Sequence, residues 1–282
     1  MFHGPAKVAL ANRRFPAARA AIGVGVFGAA VLAAGVGLTL SSGGGRAGVP
    51  GPPQRAQPAR QAVLSRRPVL SRRPLVPGGT VPGSTVLATV LETAPRYAGP
   101  GRRAAGTVPA SWYGRPSVLP VIATRPGWVR VRLARRPNGS SAWLPAGDVR
   151  LSSTPYLIVV DLGRTRLALY DRGRLVFSAP AGVGSPDDPT PTGEYFVAFD
   201  EQPPQPNPGY GPFIIVTSAH SPSISDWEGS GDAVIGIHGP LGEDSEIGAT
   251  GARISHGCIR LHDQALERLN AVPPGTPIDI VA

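Results

Sequence analysis

Cysteine, lysine and methionine each occur once in 282 residues, and aromatic side chains make up only 6% of the chain. A single cysteine excludes an internal disulfide framework, and an odd thiol in an exported chain is flagged as reactive. Lys7 is the only lysine among 28 basic residues, a skew that reads as genome composition and not as a functional choice. Acid is missing from the front of the chain. Residues 1–40 carry +4, residues 41–79 hold seven Arg and no acid, and residues 80–152 set ten Arg against Glu92 and Asp148. Residues 153–282 reverse the sign, with seven Arg against sixteen acids. The overall +10 therefore belongs to the first half. It fits a solvated surface or attraction to anionic polymers and lipid head groups. No recognised reader motif accompanies the charge, so nucleic acid is not an expected partner.

Long apolar runs are also scarce. Residues 20–40 form an uncharged Ala/Gly-rich run, and at 1.5 Å per residue it reaches about 30 Å, enough to cross a bilayer core. Its glycines would weaken a helix buried in a soluble protein. A retained signal anchor is the favoured reading, and a cleaved signal peptide with its cut near Gly45-Arg46-Ala47 stays open. The anchor reading gives a cytoplasmic basic tail (1–19), a single transmembrane helix (20–40) and everything later outside the membrane. No Cys follows the run, which excludes a lipoprotein. Small residues recur every fourth position from Ala21 to Gly37, which arises easily in so small-residue-rich a run. The chain is accordingly expected to be a monomer.

Residues 41–79 read as a Pro/Gly/Arg-rich linker, with the hexamer at 63–68 repeated at 69–74. Residues 80–152 read as a small β domain with strands near 118–122, 128–133 and 141–145. Trp128 and Trp143 are expected in its core. Beyond residue 153 strands are expected at 156–161, 166–171, 174–179, 194–199, 213–218, 233–238 and 277–281. One or two helices are expected, one of them capped by Asp263 with Leu266 and Leu269 on its inner face.

The sole cysteine sits in Ser255-His256-Gly257-Cys258-Ile259-Arg260-Leu261, and Ile237-His238-Gly239-Pro240 lies twenty positions upstream. A lone Cys with a separate His suggests a thiol nucleophile and its base. A free thiol has a pKa of about 8.5, so an imidazole must take its proton at neutral pH. Gly257 permits the turn that lets backbone N–H groups face a developing oxyanion.

Those two motifs, preceded by Pro189-Thr190-Pro191-Thr192-Gly193-Glu194-Tyr195, resemble the L,D-transpeptidase (YkuD-like) catalytic domain of bacterial cell-wall enzymes. The resemblance covers residues 154–282. The pattern around Trp128 and Trp143 resembles a bacterial SH3-like domain. Together they imply a mostly β protein: an N-terminal transmembrane helix, a small SH3-like domain (80–152) and a YkuD-like catalytic domain (153–282).

The resemblance implies a peptidoglycan L,D-transpeptidase that needs no cofactor or metal and acts on stem peptides. Cys258 would be the nucleophile and His238 the base, oriented through the Gly239 carbonyl. His256 and Gly257 would shape the oxyanion region. Ser255 would bond locally. Arg260 would anchor a substrate carboxylate or pair with one of the domain's own acids. Tyr210 and Trp227 would lid the donor. Pro240 stands where the family often has a hydroxyl residue. Three rivals remain: an L,D-carboxypeptidase on the same stems, a non-catalytic wall-binding protein, and a zinc site drawn from His238, His256, Cys258 and His262.

Overall fold

The computed structural model describes residues 81–203, 208–227 and 229–282. The expected membrane run at 20–40, the tail before it and the linker to residue 79 lie outside the described residues. No helix among the described residues is long and apolar enough to cross a membrane.

The first half is an antiparallel sheet built from β1 (Thr85–Val90), β2 (Ala94–Tyr97), β3 (Ala104–Val108), β6 (Val118–Arg125), β7 (Trp128–Arg132), β8 (Ser141–Pro145) and β9 (Val149–Thr154). A two-stranded hairpin of β4 (Ser111–Trp112) and β5 (Arg115–Pro116) interrupts it. The sheet order is β3-β2-β8-β7-β6-β1-β9. In β7 the buried Val129 and Val131 alternate with the more exposed Trp128, Arg130 and Arg132, the period of two that a half-buried strand requires. That alternation corrects one expectation. Trp143 is buried, with Arg125 over its ring. Trp128 faces outward and packs edge-on against Tyr97, ring centroids 5.0 Å apart.

The second half is a mixed sheet of ten strands in the order β12-β11-β10-β19-β14-β15-β16-β18-β13-β17. Its strands are β10 (Tyr156–Asp161), β11 (Arg166–Asp171), β12 (Arg174–Pro180), β13 (Gly182–Gly184), β14 (Gly193–Glu201), β15 (Ile214–His220), β16 (Val234–His238), β17 (Ala252–Ser255), β18 (Ile259–Arg260) and β19 (Pro277–Val281). Strand β10 is buried on both faces, which is why it reads as one apolar run. Ile158 and Val160 enter the main core, while Leu157 and Val159 pack on the opposite side. The β11–β12 turn places Arg172 and Gly173 both at positive φ (49° and 75°), as a tight hairpin turn needs.

Two short helices occur among the described residues, α1 (Asp244–Ile247) and α2 (Asp263–Leu266). Leu266 and Leu269 are buried as expected, and α2 runs on as a single 3₁₀ turn. The cap differs from the expectation: His262 is the N-cap residue, and Asp263 is the first helical residue.

The two sheets share a core. The period of two along β14 sends Tyr195 and Val197 into the main core and Phe196 into the core of the first sheet. Close by, Thr154 Oγ1 lies 3.2 Å from Thr276 Oγ1, both buried.

Candidate functional site

Strand register brings the sole thiol and a histidine together. Strands β16 and β18 run parallel, with Ile237 opposite Ile259 and His238 opposite Arg260. Ile235, Ile237, Ile259 and Leu261 all point into the main core. Alternation then turns Gly236, His238, Cys258 and Arg260 to the other face, on strands about 4.8 Å apart. The Gly236 N–H donates to Cys258 Sγ at 3.4 Å. Both Cys258 and His238 are completely buried.

The His238 ring is held from two sides. Its Nδ1 lies 2.8 Å from the Gly239 carbonyl oxygen, and Tyr210 packs edge-on at 4.9 Å between ring centroids. A carbonyl only accepts, so Nδ1 carries the proton and Nε2 the lone pair. Burial and the Arg260 charge push the His238 pKa down to about 3, against the opposing pull of the Gly239 carbonyl. Gly239 itself has no room for a side chain. A Cβ there would stand 2.5 Å from Gly211 N, and the Gly239 N–H donates to the Tyr210 carbonyl at 2.7 Å. Tyr210 is therefore a buried wall under the histidine.

The turn before the thiol is pinned by hydroxyls. Gly257 has φ 111°, and a Cβ would stand 2.8 Å from Ile235 Cδ1. Its N–H donates to Ser255 Oγ at 3.1 Å, and that hydroxyl donates to the Cys258 carbonyl at 2.5 Å. The Gly257 amide is thus already engaged, and Ser255 bonds within the turn. Thr190 explains the upstream motif. Its hydroxyl donates to the Gly257 carbonyl and accepts from the Gly184 N–H, each at 2.8 Å. A Cβ on Gly184 would stand 2.3 Å from Thr190 N.

His256 points to a partner that the motif reading missed. Its Nδ1 lies 2.6 Å from Asp188 Oδ2. The hydrogen bond to His256 holds the Asp188 carboxyl below its usual range, with Ser223 Oγ donating to the other oxygen at 2.9 Å. Asp188 directly precedes the Pro189-Thr190-Pro191 block, and that adjacency was its one available signal. Trp227 packs on the His256 ring at 5.8 Å between centroids.

Arg260 lies in a buried ion pair with Glu243, so its guanidinium faces a carboxylate of the chain itself. His220 and His262 are paired as well, with Asp232 at 2.8 Å and Asp244 at 2.7 Å. Among the described residues no three His, Cys, Asp or Glu side chains gather as a metal cage would require, and the four residues of the zinc reading are all described.

Residues 155–280 match the family profile of the YkuD L,D-transpeptidase catalytic domain. A putative L,D-transpeptidase YkuD of Bacillus licheniformis is 39% identical over 143 residues, covering 50% of this chain and 74% of the relative. Its counterpart in Bacillus subtilis is 34% identical over 127 residues, covering 45% of this chain and 66% of the relative. Among solved structures, an L,D-transpeptidase from Mycobacterium smegmatis is 22% identical with a TM-score of 0.35, covering 57% of this chain and 81% of that one.

Proposed function

The chain belongs to the YkuD family of L,D-transpeptidase catalytic domains, and from that premise we propose that it cross-links peptidoglycan stem peptides through an acyl-enzyme on Cys258. The observation that carries this reading is the placement of Cys258 and His238 on one face of adjacent parallel strands, diagonal to each other because His238 is opposite Arg260, with Nδ1 of His238 committed to the Gly239 carbonyl.

In the first half-reaction Cys258 Sγ attacks the carbonyl carbon of an L-to-D peptide bond as His238 Nε2 takes the thiol proton. The tetrahedral oxyanion collapses and the C–N bond breaks. The departing D-amino acid takes the proton from His238, and the thioester remains. In the second half, the amine of a neighbouring stem attacks the thioester carbonyl and gives a proton to His238. The C–S bond then breaks, and the thiol is restored as its sulfur takes the proton back. Burial and Arg260 keep His238 neutral at rest. It therefore acts as a general base during attack, and no resting thiolate–imidazolium pair is needed. The match to the L,D-transpeptidase family is the ground for ranking cross-linking above carboxypeptidase activity.

On this reading residues 20–40 anchor the chain and the linker at 41–79 lets the catalytic sheet reach the wall. The first sheet serves as an SH3-like wall-contacting module. The test is the purified chain with a disaccharide-tetrapeptide, its products followed by mass spectrometry. A cross-linked dimer that vanishes in Cys258→Ala supports transpeptidation. Tripeptide alone moves the assignment to carboxypeptidase, and no turnover removes the enzyme reading for that substrate.

A further inference from the structure

A loop of the first sheet grips the segment that borders this site. Arg136 lies in the turn between β7 and β8, and each nitrogen of its guanidinium bonds the segment after β15. Nε donates to Asp232 Oδ1 at 2.9 Å, Nη1 to the Ser221 carbonyl at 2.8 Å and Nη2 to the Ile224 carbonyl at 2.9 Å. Two residues on, Asn138 pairs with the end of β15 in both directions. Its Nδ2 donates to the His220 carbonyl at 2.8 Å, and its Oδ1 accepts from the His220 N–H at 3.0 Å. Trp112, from the hairpin of the first half, packs against Phe199 and His220.

The other end of these contacts reaches the thiol turn. Ser223 Oγ donates to Asp188, Asp188 holds His256 Nδ1, and Trp227 packs on the His256 ring. His256 is two positions from Cys258. Pro222, Ser223, Ser225 and Asp226 are exposed, so little apolar burial fixes this stretch. Besides its own turns, in which the Ile224 N–H donates to Ser221 Oγ at 3.1 Å and the Trp227 N–H to the Asp232 carbonyl at 3.0 Å, it is tied to the first sheet by a planar fork making three bonds and, at the end of β15, by an amide making two, the geometry that Arg and Asn offer and Lys or Ala does not.

We propose that Arg136 and Asn138 are positioning residues for acyl transfer: they hold the segment carrying Ser223 and Trp227 so that Asp188 and the His256 ring are set beside Cys258. The proposal rests on Cys258 being the nucleophile. The first sheet thereby shapes the site it does not line.

The test uses the full chain with Arg136→Gln, Arg136→Lys, Asn138→Ala, Asp188→Asn and the Arg136→Gln/Asp188→Asn pair. Two readouts are taken: kcat and KM on the disaccharide-tetrapeptide, and the rate of Cys258 alkylation by iodoacetamide. The second needs no substrate assignment, because Cys258 is the sole thiol. Arg136→Gln is expected to lower kcat/KM about tenfold and to raise the alkylation rate, a displacement effect smaller than the roughly hundredfold that a 1 Å misplacement can cost. Asn138→Ala follows in the same direction, and Arg136→Lys recovers only part of the loss. The paired variant is expected to lose little more than its worse single parent, since the two residues share one chain of contacts. Melting curves confirm that each variant is folded, and Asn138→Ala carries the test if Arg136→Gln is not. Unchanged alkylation together with multiplying losses in the pair overturns the proposal. If stem peptides are not turned over by any form but alkylation responds non-additively, the positioning stands and the substrate reading falls.

Discussion

His238, at the end of β16, and His256, within the thiol turn, each have Nδ1 occupied, yet by opposite kinds of partner. His238 donates to a neutral carbonyl, is completely buried and shares its face with Arg260. His256 meets the Asp188 carboxylate, is one-third exposed at its side chain and is braced through a loop held from the first sheet. The difference is instructive. On the proposed reading, a base that must stay neutral is oriented by a group without charge, inside the sheet, while the ring proposed to shape the site is held by an ionised group at the rim, where solvent moderates the field.

The sharpest way to break the comparison is to remove each histidine. His238→Gln is expected to lower kcat by roughly 10²–10⁴-fold, the range for loss of a general base. His256→Gln is expected to cost far less, and equal losses from the two variants would erase the distinction. Next in size is Gly239→Ala, whose Cβ would stand 2.5 Å from Gly211 N. Overpacking of that kind costs about 1–3 kcal/mol, so a lowered Tm together with a lowered kcat is expected. A Tm effect alone would mean that the His238 ring had not moved.

The pH dependence of stability tests the burial of the His238 ring. His238 has its pKa depressed to about 3, against about 6.5 when unfolded. Below pH 6.5 the unfolded chain binds the proton and the folded chain resists it. Stability should therefore fall by about 1.4 kcal/mol per pH unit from this group as the pH drops from about 6.5 toward 3. Comparing denaturation of the wild type with His238→Gln across that window isolates the term, and parallel curves would refute it. The smallest effect expected is that of Asp188→Asn, about tenfold in kcat/KM, or about 1.4 kcal/mol. Its Tm should change little, because a pair at the solvent-open rim stabilises weakly.

Much of this was legible before any coordinates. Strands β10, β11 and β19 run over the residues that their apolar patterns mark, because a strand buried on one face alternates and one buried on both reads as an unbroken apolar run. The three motifs converge in space for a reason their spacing does not reveal: Thr190 ties the upstream block to the Gly257 carbonyl. Other features depend on tertiary contact and leave no local pattern. Strands β13 and β17 are short and Gly-bearing or irregular, with the register slipping between Val183 and Gly184. Asp188 looks like a loop acid until the turn at residues 255–258 closes on it. Arg260 meets its carboxylate partner only because the loop bearing Glu243 folds over β18. The outward face of Trp128 depends on which side of β7 the first sheet buries, and a strand's period alone does not say which side that is.

The central claim is that Cys258 carries the acyl group and His238 delivers it. Intact-protein mass spectrometry on the full chain, mixed with a tetrapeptide stem and quenched early, addresses it most directly. The account predicts one acyl adduct per chain, lost on Cys258→Ala, formed much more slowly in His238→Gln and discharged when an acceptor amine is added. Cross-linked product formed without any adduct on Cys258, or an adduct that persists in Cys258→Ala, would contradict it.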